Sequence, residues 1–352
     1  MPIESRVDAE TWERWGSACL RAQGFSDDDA RCLAASLAQT SLWGIDSHGI
    51  ARLPHYLNRV AHGSIQARPS IRIERSGPGT AQVYGGQGQG IVVAHRAIAL
   101  AIDLAREAGI AAVGVSDSSH CGAVGLYSRA AARQGLIGIA FTHSDSIAAP
   151  HGGHQAFFGT NPISMAFPRA DGEPLCLDMA TTAIPWNRVM NARRDGVALA
   201  PGVAIDAEGT DCTDAEAVRA LRPLGGEVYG YKGYGLAMVI ELLCGPLNGN
   251  PFGPHISPMY EQLQRPRELG AFFIVIDPAR FAGGAALAGV VAAMAMELSQ
   301  APGSPRVPGD PEAAAQVERL RDGLPVPPAL WIEMQDWSER LGVPLPAQRV
   351  GA

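Results

Sequence analysis

The residue types best suited to chemistry lie close together near the start of the chain, within IDSHGIARLPHY at residues 45–56. An imidazole, a guanidinium and a phenol follow one another at intervals of four residues, as His48, Arg52 and Tyr56. On a helix this spacing places all three side chains on one face. Such a face could hold a carboxylate on Arg52 while His48 presents a proton to the neighbouring atom.

Pro54 leaves two interpretations of the backbone here. A helix capped by Ser47 could run through Tyr56, but Pro54 would remove the hydrogen bond to the carbonyl of Ile50 and kink the helix. Alternatively, Pro54 opens a new helix in its first turn. The shared face would survive a kink but not a full break.

The composition excludes several classes of protein. The 352 residues are enough for a large core in two or three domains, and the net charge of −7 leaves no footprint for nucleic acid or an anionic membrane. Six scattered cysteines without a CxxC pair indicate reduced thiols in a cytoplasmic protein. The longest apolar run, residues 285–296, is too short to cross a bilayer and predicts a buried helix.

Helical and extended patterns alternate along the chain. Helices are predicted in two segments of 8–40, at 91–108, from the Lys232 region to 244, at 285–300, and at 312–322 and 327–341. Strands are predicted at 70–83 around a turn, and at 110–115, 136–142, 163–167, 175–179 and 271–276, whereas 196–227 reads as surface loops. Several strand connections are shorter than the roughly dozen residues that a parallel crossover needs. The sheet should therefore be mixed or mainly antiparallel.

Two glycine clusters suggest nucleotide contacts. Gly86, Gly88 and Gly90 precede a helix, but they do not match the dinucleotide fingerprint in spacing, so a tight turn before a packed helix is favoured. Lys232 lies among glycines that would let a ligand approach the backbone, where a helix expected to begin would point its amides at a diphosphate. An exposed lysine beside a helix start is the alternative.

Other polar residues fall at predicted strand ends and in loops. His120 follows a buried strand and suits proton transfer near neutral pH, although a structural histidine would read the same way. Asp178 could orient an imidazole or cap the loop after it. His143, His151 and His154 have ligand types that suit zinc, but no helical frame holds them, so a metal-dependent hydrolase is kept only as a rival function.

Eight segments together resemble the malate/L-lactate dehydrogenase-like family, which includes ureidoglycolate and sulfolactate dehydrogenases and piperideine-2-carboxylate reductase. They span nearly the whole chain in one order: DSHGIARLPHY (46–56), GGQGQGIVVAHRAIALAI (85–102), GVSDSSHCGAVGLYS (114–128), HSDSIAAPHGG (143–153), FGTNP (158–162), LDMATT (177–182), YKGYGLAMVIELL (231–243) and PGDPE (308–312).

The resemblance implies an α+β fold with two domains. A large mixed, mainly antiparallel sheet flanked by helices would form a non-Rossmann cofactor domain over residues 76–309. Residues 1–75 and 310–352 would form a helical, substrate-side domain. A homodimer is expected, with no nucleic acid or membrane partner.

The resemblance also implies roles for individual residues. His48 and His120 stand where the family has its catalytic imidazoles, and Ser47, Arg52 and Tyr56 where it binds substrate. The family's cofactor contacts fall on Ser144, Asp178, Met179, Ala180, Lys232, Pro308, Gly309 and Asp310, and no metal is expected. Many members of the family carry Ala-Arg-Gly-Lys after the LDMAT-like run, whereas this chain has IPWNRV at residues 184–189. Because this segment lies near the cofactor in the family, the choice between NAD and NADP stays open.

The predicted function is hydride transfer between NAD or NADP and C2 of a small 2-oxo or 2-hydroxy acid. His48 is the preferred proton donor because it shares the Arg52 stretch, and His120 is the alternative. A reductase of cyclic imino acids is the nearest rival. A non-catalytic nucleotide-binding module is another.

Overall fold

The computed structural model describes residues 5–349; residues 1–4 and 350–352, which the predicted helical domain also included, lie outside it. The described residues form ten α-helices and three sheets, one of them large. The helices are α1 Ala9–Ala22, α2 Asp27–Leu42, α3 Leu53–Ala61, α4 Gly90–Ala108, α5 Gly125–Ala132, α6 Trp186–Asp195, α7 Gly226–Cys244, α8 Gly284–Gln300, α9 Asp310–Asp322 and α10 Pro328–Leu341. The strands are β1 Ser5–Val7, β2 Arg72–Arg75, β3 Thr80–Tyr84, β4 Ile110–Ser118, β5 Ile137–Thr142, β6 Ile163–Phe167, β7 Leu175–Met179, β8 Ala204–Ile205, β9 Ala220–Leu221, β10 Leu269–Ile276 and β11 Leu324–Val326.

The large sheet has the strand order β2-β3-β4-β10-β5-β6-β7. Among the described strands only β3 and β4 pair in parallel, and the long helix α4 makes the crossover between them. The remaining pairs in this sheet are antiparallel. The predicted α+β fold with a mixed, mainly antiparallel sheet is therefore confirmed.

Helices α4 and α5 cover one face of this sheet. The buried positions of α4 include Ala97, Ala101 and Ala105, whose small side chains let the helix lie close to β4 and β10. Gly109 ends α4 in the left-handed conformation, with φ of +87°. The core under these helices places the carboxyl end of β4, and hence His120, beside the first turn of α4.

The two ends of the chain pack together in a second apolar cluster. β1 pairs antiparallel with β11, and α1, α2, α3 and α10 bury Trp12, Leu33, Leu53 and Met334 between them. Ser26 caps α2 by accepting a hydrogen bond from the amide of Asp29. This cluster supports α3 and the residues before it, while the division into two domains stays a prediction.

Two regions differ from the sequence-based expectation. Residues 196–227 include the β8–β9 ribbon and contribute to a buried apolar cluster with α6, so they are more than surface loops. The apolar helix α8 is not buried, because only Val291 and Ala295 are enclosed, whereas Val290 and Met294 are exposed. No helix in the described part of the chain is long and apolar enough to cross a bilayer.

Candidate active site

The backbone breaks at Gly49, so residues 46–56 do not form one helix. Two short 3₁₀ turns, Asp46–His48 and Ile50–Arg52, precede α3, which carries Pro54 in its first turn. A side chain at Gly49 would lie 2.0 Å from the hydroxyl of Ser41, which accepts the amide of Ile50 at 2.9 Å. The interpretation in which Pro54 opens a new helix is confirmed, and the single helical face is wrong.

The side chains of this stretch nevertheless converge, because His120 lies between them. The hydroxyl of Tyr56 is 2.6 Å from Nδ1 of His120. The rings of His48 and His120 stack with their centroids 5.5 Å apart and their planes at 27°. The hydroxyl of Ser47 lies 2.8 Å from Nδ1 of His48. Four of the five residues predicted for catalysis and substrate binding thus form one connected group, and Arg52 joins it through Ser47.

The hydrogen bonds around His120 indicate its tautomer. The amide of Gly122, which can only donate, is directed at Nδ1 from 3.4 Å. Nδ1 is therefore an acceptor, Tyr56 donates its hydroxyl proton to it, and Nε2 carries the ring hydrogen. Burial, followed by the charges of His48 and Arg52, lowers the pKa of His120 well below its ordinary value. Burial and Arg52 also lower the pKa of His48, to about 3, so both rings are neutral near pH 7.

The glycine-rich turn before α4 holds the loop that carries His120. The amide of Gly90 donates to the hydroxyl of Ser119 at 2.8 Å, and the side-chain amide of Gln89 donates to the carbonyl of His120 at 3.3 Å. A Cβ at Gly90 would lie 2.1 Å from the carbonyl oxygen of Ser119. The structure thus has the tight turn before a packed helix that was favoured over a dinucleotide fingerprint.

We predict that Gly90→Ala displaces the His120 loop, because the methyl group has no room. It should lower the free energy of unfolding by about 1–3 kcal/mol, as overpacking does. Gly235→Ala in α7 is the matched control, since a Cβ there meets nothing within 4 Å and removes a flexible residue from a helix. Urea denaturation measures both variants. Equal stability of Gly90→Ala and the parent chain would contradict the prediction.

Arg52 is a buried guanidinium without a carboxylate partner. It is 9% exposed, and it donates to the carbonyl of Ser47 at 2.5 Å, the hydroxyl of Tyr260 at 2.5 Å and the side-chain oxygen of Asn187 at 3.3 Å. Each terminal nitrogen has two hydrogens, so each keeps one for a ligand. Within residues 5–349 no acid pairs with this cation. A ligand carboxylate would therefore meet an unneutralised planar fork.

Arg52 opens onto a cleft of about 600 Å³ between α3 and α10. Its walls carry Ala51, Arg52, Pro54, His55, Asn58, Tyr260, Glu333, Asp336, Trp337 and Arg340. The cleft gives a solvent route to the guanidinium.

A segment that the sequence did not single out closes one side of this cleft. Residues 257–267, here named the strap, pack against the buried Arg59. Its guanidinium donates to the carbonyls of Pro258, Met259 and Arg265 at 2.8–3.2 Å. The strap places Tyr260 against Arg52. These contacts join residues about 200 positions apart, so no local pattern reveals them.

Backbone hydrogen bonds connect several of the predicted cofactor positions. Thr160 donates to the hydroxyl of Ser144 at 3.3 Å, and Thr181 donates to the carbonyl of Thr160 at 2.9 Å. Leu224 then donates to the carbonyl of Thr181 at 2.8 Å, and Gly233 to that of Leu224 at 3.2 Å. One chain of hydrogen bonds therefore connects the neighbourhood of Ser144 with the end of β7, where Met179 and Ala180 lie, and with the part of α7 that carries Lys232.

Asp178 has a role that the sequence did not predict. Its carboxylate accepts the amide of Gly125, the first residue of α5, at 2.9 Å, so it neither orients an imidazole nor caps residues 180–182. A Cβ at Gly125 would lie 2.6 Å from this carboxylate oxygen, which explains the glycine. Burial raises the pKa of Asp178 to about 6, although Gly125 and Arg129 act in the opposite direction.

Lys232 lies inside α7 and not before it. The helix begins at Gly226, so the expectation that a helix terminus points its amides at Lys232 is wrong. Gly233 belongs within the helix because a Cβ there would lie 2.5 Å from backbone atoms of Leu224. The ammonium of Lys232 is 5.5 and 5.9 Å from the ring centroids of Tyr229 and Tyr231. Among the described residues no acid pairs with it, so it keeps an uncompensated charge.

The loop Pro308–Asp310 lies beside β7. The amide of Cys176 donates to the carbonyl of Pro308 at 2.9 Å, Gly309 has φ of +102° before α9, and Asp310 pairs with Arg169 at 3.1 Å. Nearby, Nη2 of Arg129 lies 3.8 Å from Oε2 of Glu312, while Nη1 of Arg129 and Oε2 of Glu312 are buried without hydrogen-bond partners. A donor and an acceptor that lack hydrogen bonds beside this loop suit a polar ligand with hydroxyl groups.

Comparison with known proteins identifies the family. The family model for malate/L-lactate dehydrogenase matches residues 7–335. The chain belongs to this family. Its predicted resemblance is thereby confirmed, and the protein is an oxidoreductase of the dehydrogenase class.

Individual relatives in the family differ in what they act on. The chain is 37% identical over 273 residues to ureidoglycolate dehydrogenase (NAD(+)) of Escherichia coli O157:H7, covering 78% of this chain and 77% of the relative. It is 34% identical over 335 residues to malate dehydrogenase of Pyrococcus horikoshii, covering 92% of each. The solved structure of delta1-piperideine-2-carboxylate reductase from Pseudomonas syringae pvar. tomato matches with a TM-score of 0.86 at 30% identity, covering 94% of this chain and 99% of that one.

The three histidines of the rival metal-dependent hydrolase, His143, His151 and His154, have other partners or positions. Nδ1 of His143 lies 3.2 Å from the buried carboxylate of Glu241, and its Nε2 accepts the amide of Gly270 at 2.9 Å. Both ring nitrogens are therefore occupied. His151 and His154 line a separate pocket of about 230 Å³ near the start of α7. No three potential metal ligands are grouped in the described part of the chain, so the hydrolase hypothesis loses its site.

The dehydrogenase should lose stability as the pH falls below 6.5. Burial lowers the pKa of His48 and His55 to about 3 and that of His95 to about 4. Between these pKa values and 6.5 the unfolded chain therefore binds protons that the folded chain does not. Each such proton lowers the free energy of unfolding by about 1.4 kcal/mol per unit fall in pH. Asp178 acts in the opposite sense below pH 6. Urea denaturation at pH 7 and pH 5 measures the loss, and His95→Gln should reduce it. An unfolding free energy unchanged between the two pH values would contradict this.

Proposed function

We propose that this dehydrogenase transfers a hydride between NAD(P)H and C2 of a small 2-oxo acid. In balanced form, 2-oxo acid, NAD(P)H and a proton give 2-hydroxy acid and NAD(P)⁺. The observation that carries the proposal is Arg52, a buried cation without an acid partner, in the same group as two neutral imidazoles. A carboxylate on Arg52 would place the adjacent C2 oxygen within reach of that group.

His120 is the proton donor that the hydrogen bonds favour over His48. Tyr56 and Gly122 occupy Nδ1 of His120, which leaves Nε2–H as the group free to face a substrate oxygen. When a carboxylate neutralises Arg52, one of the charges that depress the pKa of His120 is compensated. Substrate binding therefore raises the pKa of His120, so the ring more easily takes up a proton and donates it to the substrate oxygen. His48, bonded to Ser47, would orient the ring of His120.

The cofactor would lie along the positions that the family pattern assigns to it. When bound, NAD(P)H supplies the hydride. The donor set fits such a group: the ammonium of Lys232 suits a phosphate, and Nη1 of Arg129 and Oε2 of Glu312, which lack hydrogen-bond partners, suit ribose hydroxyls. Ser144, Asp178, Met179 and Ala180 would contact it from the strand ends, and Pro308, Gly309 and Asp310 from the loop beside β7.

We favour NAD over NADP as its cofactor. Three arginines of α6, Arg188, Arg193 and Arg194, are the basic residues that could meet a 2′-phosphate. Arg193 donates to the carbonyls of Ala215 and Val218, and Arg194 pairs with Asp195, so two of the three are engaged within the protein. The ratio of kcat/KM for NADH over NADPH should exceed one.

A cyclic imino acid is the alternative substrate, because a solved relative is named as such a reductase. An iminium carries its own proton and would need no donor. The charges of Arg52 and Arg267 lower the pKa of His120, and the same positive potential disfavours a cationic C=N group in this site. The oxo acid is therefore preferred.

A substrate panel tests the proposed function. Wild-type protein is assayed with 2-oxo acids and cyclic imino acids, each with NADH and NADPH, by the absorbance change at 340 nm. Turnover of at least one 2-oxo acid is expected. Cofactor binding without turnover of any acid would instead support a non-catalytic nucleotide-binding module.

We further propose that the protein is a homodimer. The outer face of α7 and the residues after it expose Val239, Leu242 and Leu247, and α8 exposes Val290 and Met294. Apolar faces of this extent are usually covered by a partner. Light scattering should give twice the chain mass, and Leu242→Glu should shift the protein towards monomer. A monomeric wild-type protein at micromolar concentration would refute the proposal.

A further inference from the structure

The turn Asp46–His48 is held from outside by an arginine of α9. Nη1 of Arg319 donates to the carbonyl of Ser41 at 2.5 Å and to one carboxylate oxygen of Asp46, and Nη2 donates to the other oxygen at 2.9 Å. The guanidinium therefore meets the carboxylate with two hydrogen bonds, the arrangement that fixes orientation best for such a pair. Arg319 binds the end of α2 and the turn at the same time.

Asp46 is joined by one peptide bond to the residue that contacts two side chains of the candidate site. The carbonyl of Ser47 accepts the Nε hydrogen of Arg52 at 2.5 Å, and the hydroxyl of Ser47 lies 2.8 Å from Nδ1 of His48. A shift of Asp46 therefore moves Ser47, and through it both the guanidinium and the imidazole. Arg319 does not line the cleft, so it can act on a substrate only through these contacts.

A single 3₁₀ turn supplies little rigidity of its own, because its hydrogen-bond geometry is poor. The amide of Gly49 donates to the carbonyl of Asp46 from 3.4 Å, which is long for a backbone hydrogen bond. None of the three residues of the turn is buried. Apolar packing therefore does not hold the turn in place, and the contact with Arg319 serves that purpose.

Helix α9 is itself fixed close to the point where Arg319 leaves it. The side-chain amide of Gln316 on α9 interacts with that of Gln39 on α2 at 3.0 Å. The methyl group of Ala315 packs so close to Gly44 that a Cβ there would lie 3.3 Å away. Both contacts lie about one helical turn before Arg319, so the arginine extends from a part of α9 that already rests on α2.

The ion pair should contribute more to position than to stability. The side chain of Asp46 is 54% exposed, so water competes for its carboxylate, and exposed ion pairs add little to the free energy of unfolding. Loss of Arg319 should therefore leave the fold intact and free Asp46 to turn towards solvent.

We propose that Arg319 is a positioning residue for the proposed reaction. By holding Asp46 it fixes Ser47, and Ser47 in turn directs Arg52 at the substrate carboxylate and keeps His48 in its stack. The inference rests on the proposed function and adds to it a residue that lies outside the cleft.

Substitution of Arg319 gives the first test, on whichever acid of the panel the wild type reduces fastest. Arg319→Gln should lower kcat/KM by at least about 20-fold, because a misdirected fork loses both binding and alignment. The urea midpoint and the Kd for NADH should stay nearly unchanged. Arg319→Lys should recover only part of the loss, since an ammonium lacks the planar fork. Arg321→Gln is the matched control, because this arginine is in the same last turn, is 75% exposed and pairs with its neighbour Asp322.

A double-mutant cycle separates positioning from a general structural role. In the Arg52→Lys background, Arg319→Gln should cost less than about fivefold more, because the planar fork that it orients is already gone. An equal loss in both backgrounds would mark Arg319 as merely structural and overturn the inference, and so would wild-type kcat/KM in Arg319→Gln. Failure of the wild type to reduce any acid of the panel would instead remove the proposed function. If Arg319→Gln does not fold, Asp46→Asn takes its place in the same cycle with the same expected result.

Discussion

Arg52→Lys is expected to lower kcat/KM for a 2-oxo acid by about 100-fold or more, because lysine keeps the charge but loses the planar fork. In the folded protein the fork is already oriented by Ser47, Tyr260 and Asn187, so its remaining hydrogens are directed before the substrate arrives. An ammonium cannot reproduce these three bonds and a bidentate contact together. The C2 atom would then lie out of line with the hydride.

The measurement must separate substrate binding from cofactor binding. Fluorescence titration with NADH should give a Kd within about twofold of the wild type, since Arg52 lies outside the predicted cofactor positions. Arg96→Lys, which alters a remote arginine paired with Asp29 at 2.8 Å, is the matched control and should turn over normally. Unaltered turnover of Arg52→Lys would remove Arg52 from the mechanism.

His120→Gln should have the larger effect of the two histidine substitutions, with kcat lowered by about 100- to 10,000-fold. Glutamine can fill the space and still meet Tyr56, but it cannot deliver a proton. His48→Gln should cost less, because His48 acts on the substrate through its stacked neighbour. Tyr56→Phe should fall between them, since it frees Nδ1 of His120 and lets the ring turn.

The pH dependence of kcat distinguishes a proton donor from a positioning residue. The wild-type reduction rate should fall as the pH rises above the pKa of His120 in the ternary complex, and His120→Gln should lack this fall. His62→Gln, at an exposed position at the end of α3, is the control. A greater loss in His48→Gln than in His120→Gln would assign the donor to His48, as the sequence alone suggested.

Local patterns predicted most elements of the fold. The strands Ile163–Phe167 and Leu175–Met179 have the predicted bounds, and α4 begins one residue before its predicted start and ends at Gly109 as expected. These segments succeed because apolar periodicity and glycine stops act within a few residues. The helical face predicted for His48, Arg52 and Tyr56 is wrong, and His48 and Tyr56 are instead brought together by their contacts with His120.

The errors share a physical cause. α7 begins at Gly226 and includes Gly233, which fits against Leu224, a tertiary contact that overrides the low helix propensity of glycine. α8 has the composition of a buried helix, but nothing within residues 5–349 covers its outer face. Tyr260 and Arg267 were missed because their partners lie far away in sequence. Tertiary contacts of this kind leave no periodic signal.

The strap has a consequence for how such a pocket can be re-engineered. The guanidinium of Arg59 donates hydrogen bonds to backbone carbonyl oxygens of the strap. Every amino acid has a backbone carbonyl, so these bonds do not depend on the side chains of the strap. Residues 260–265 can therefore be exchanged for other types while the path of the chain is retained. Random libraries confined to these six codons should yield many folded enzymes with altered acceptance of acids, whereas libraries at Arg59 should yield few.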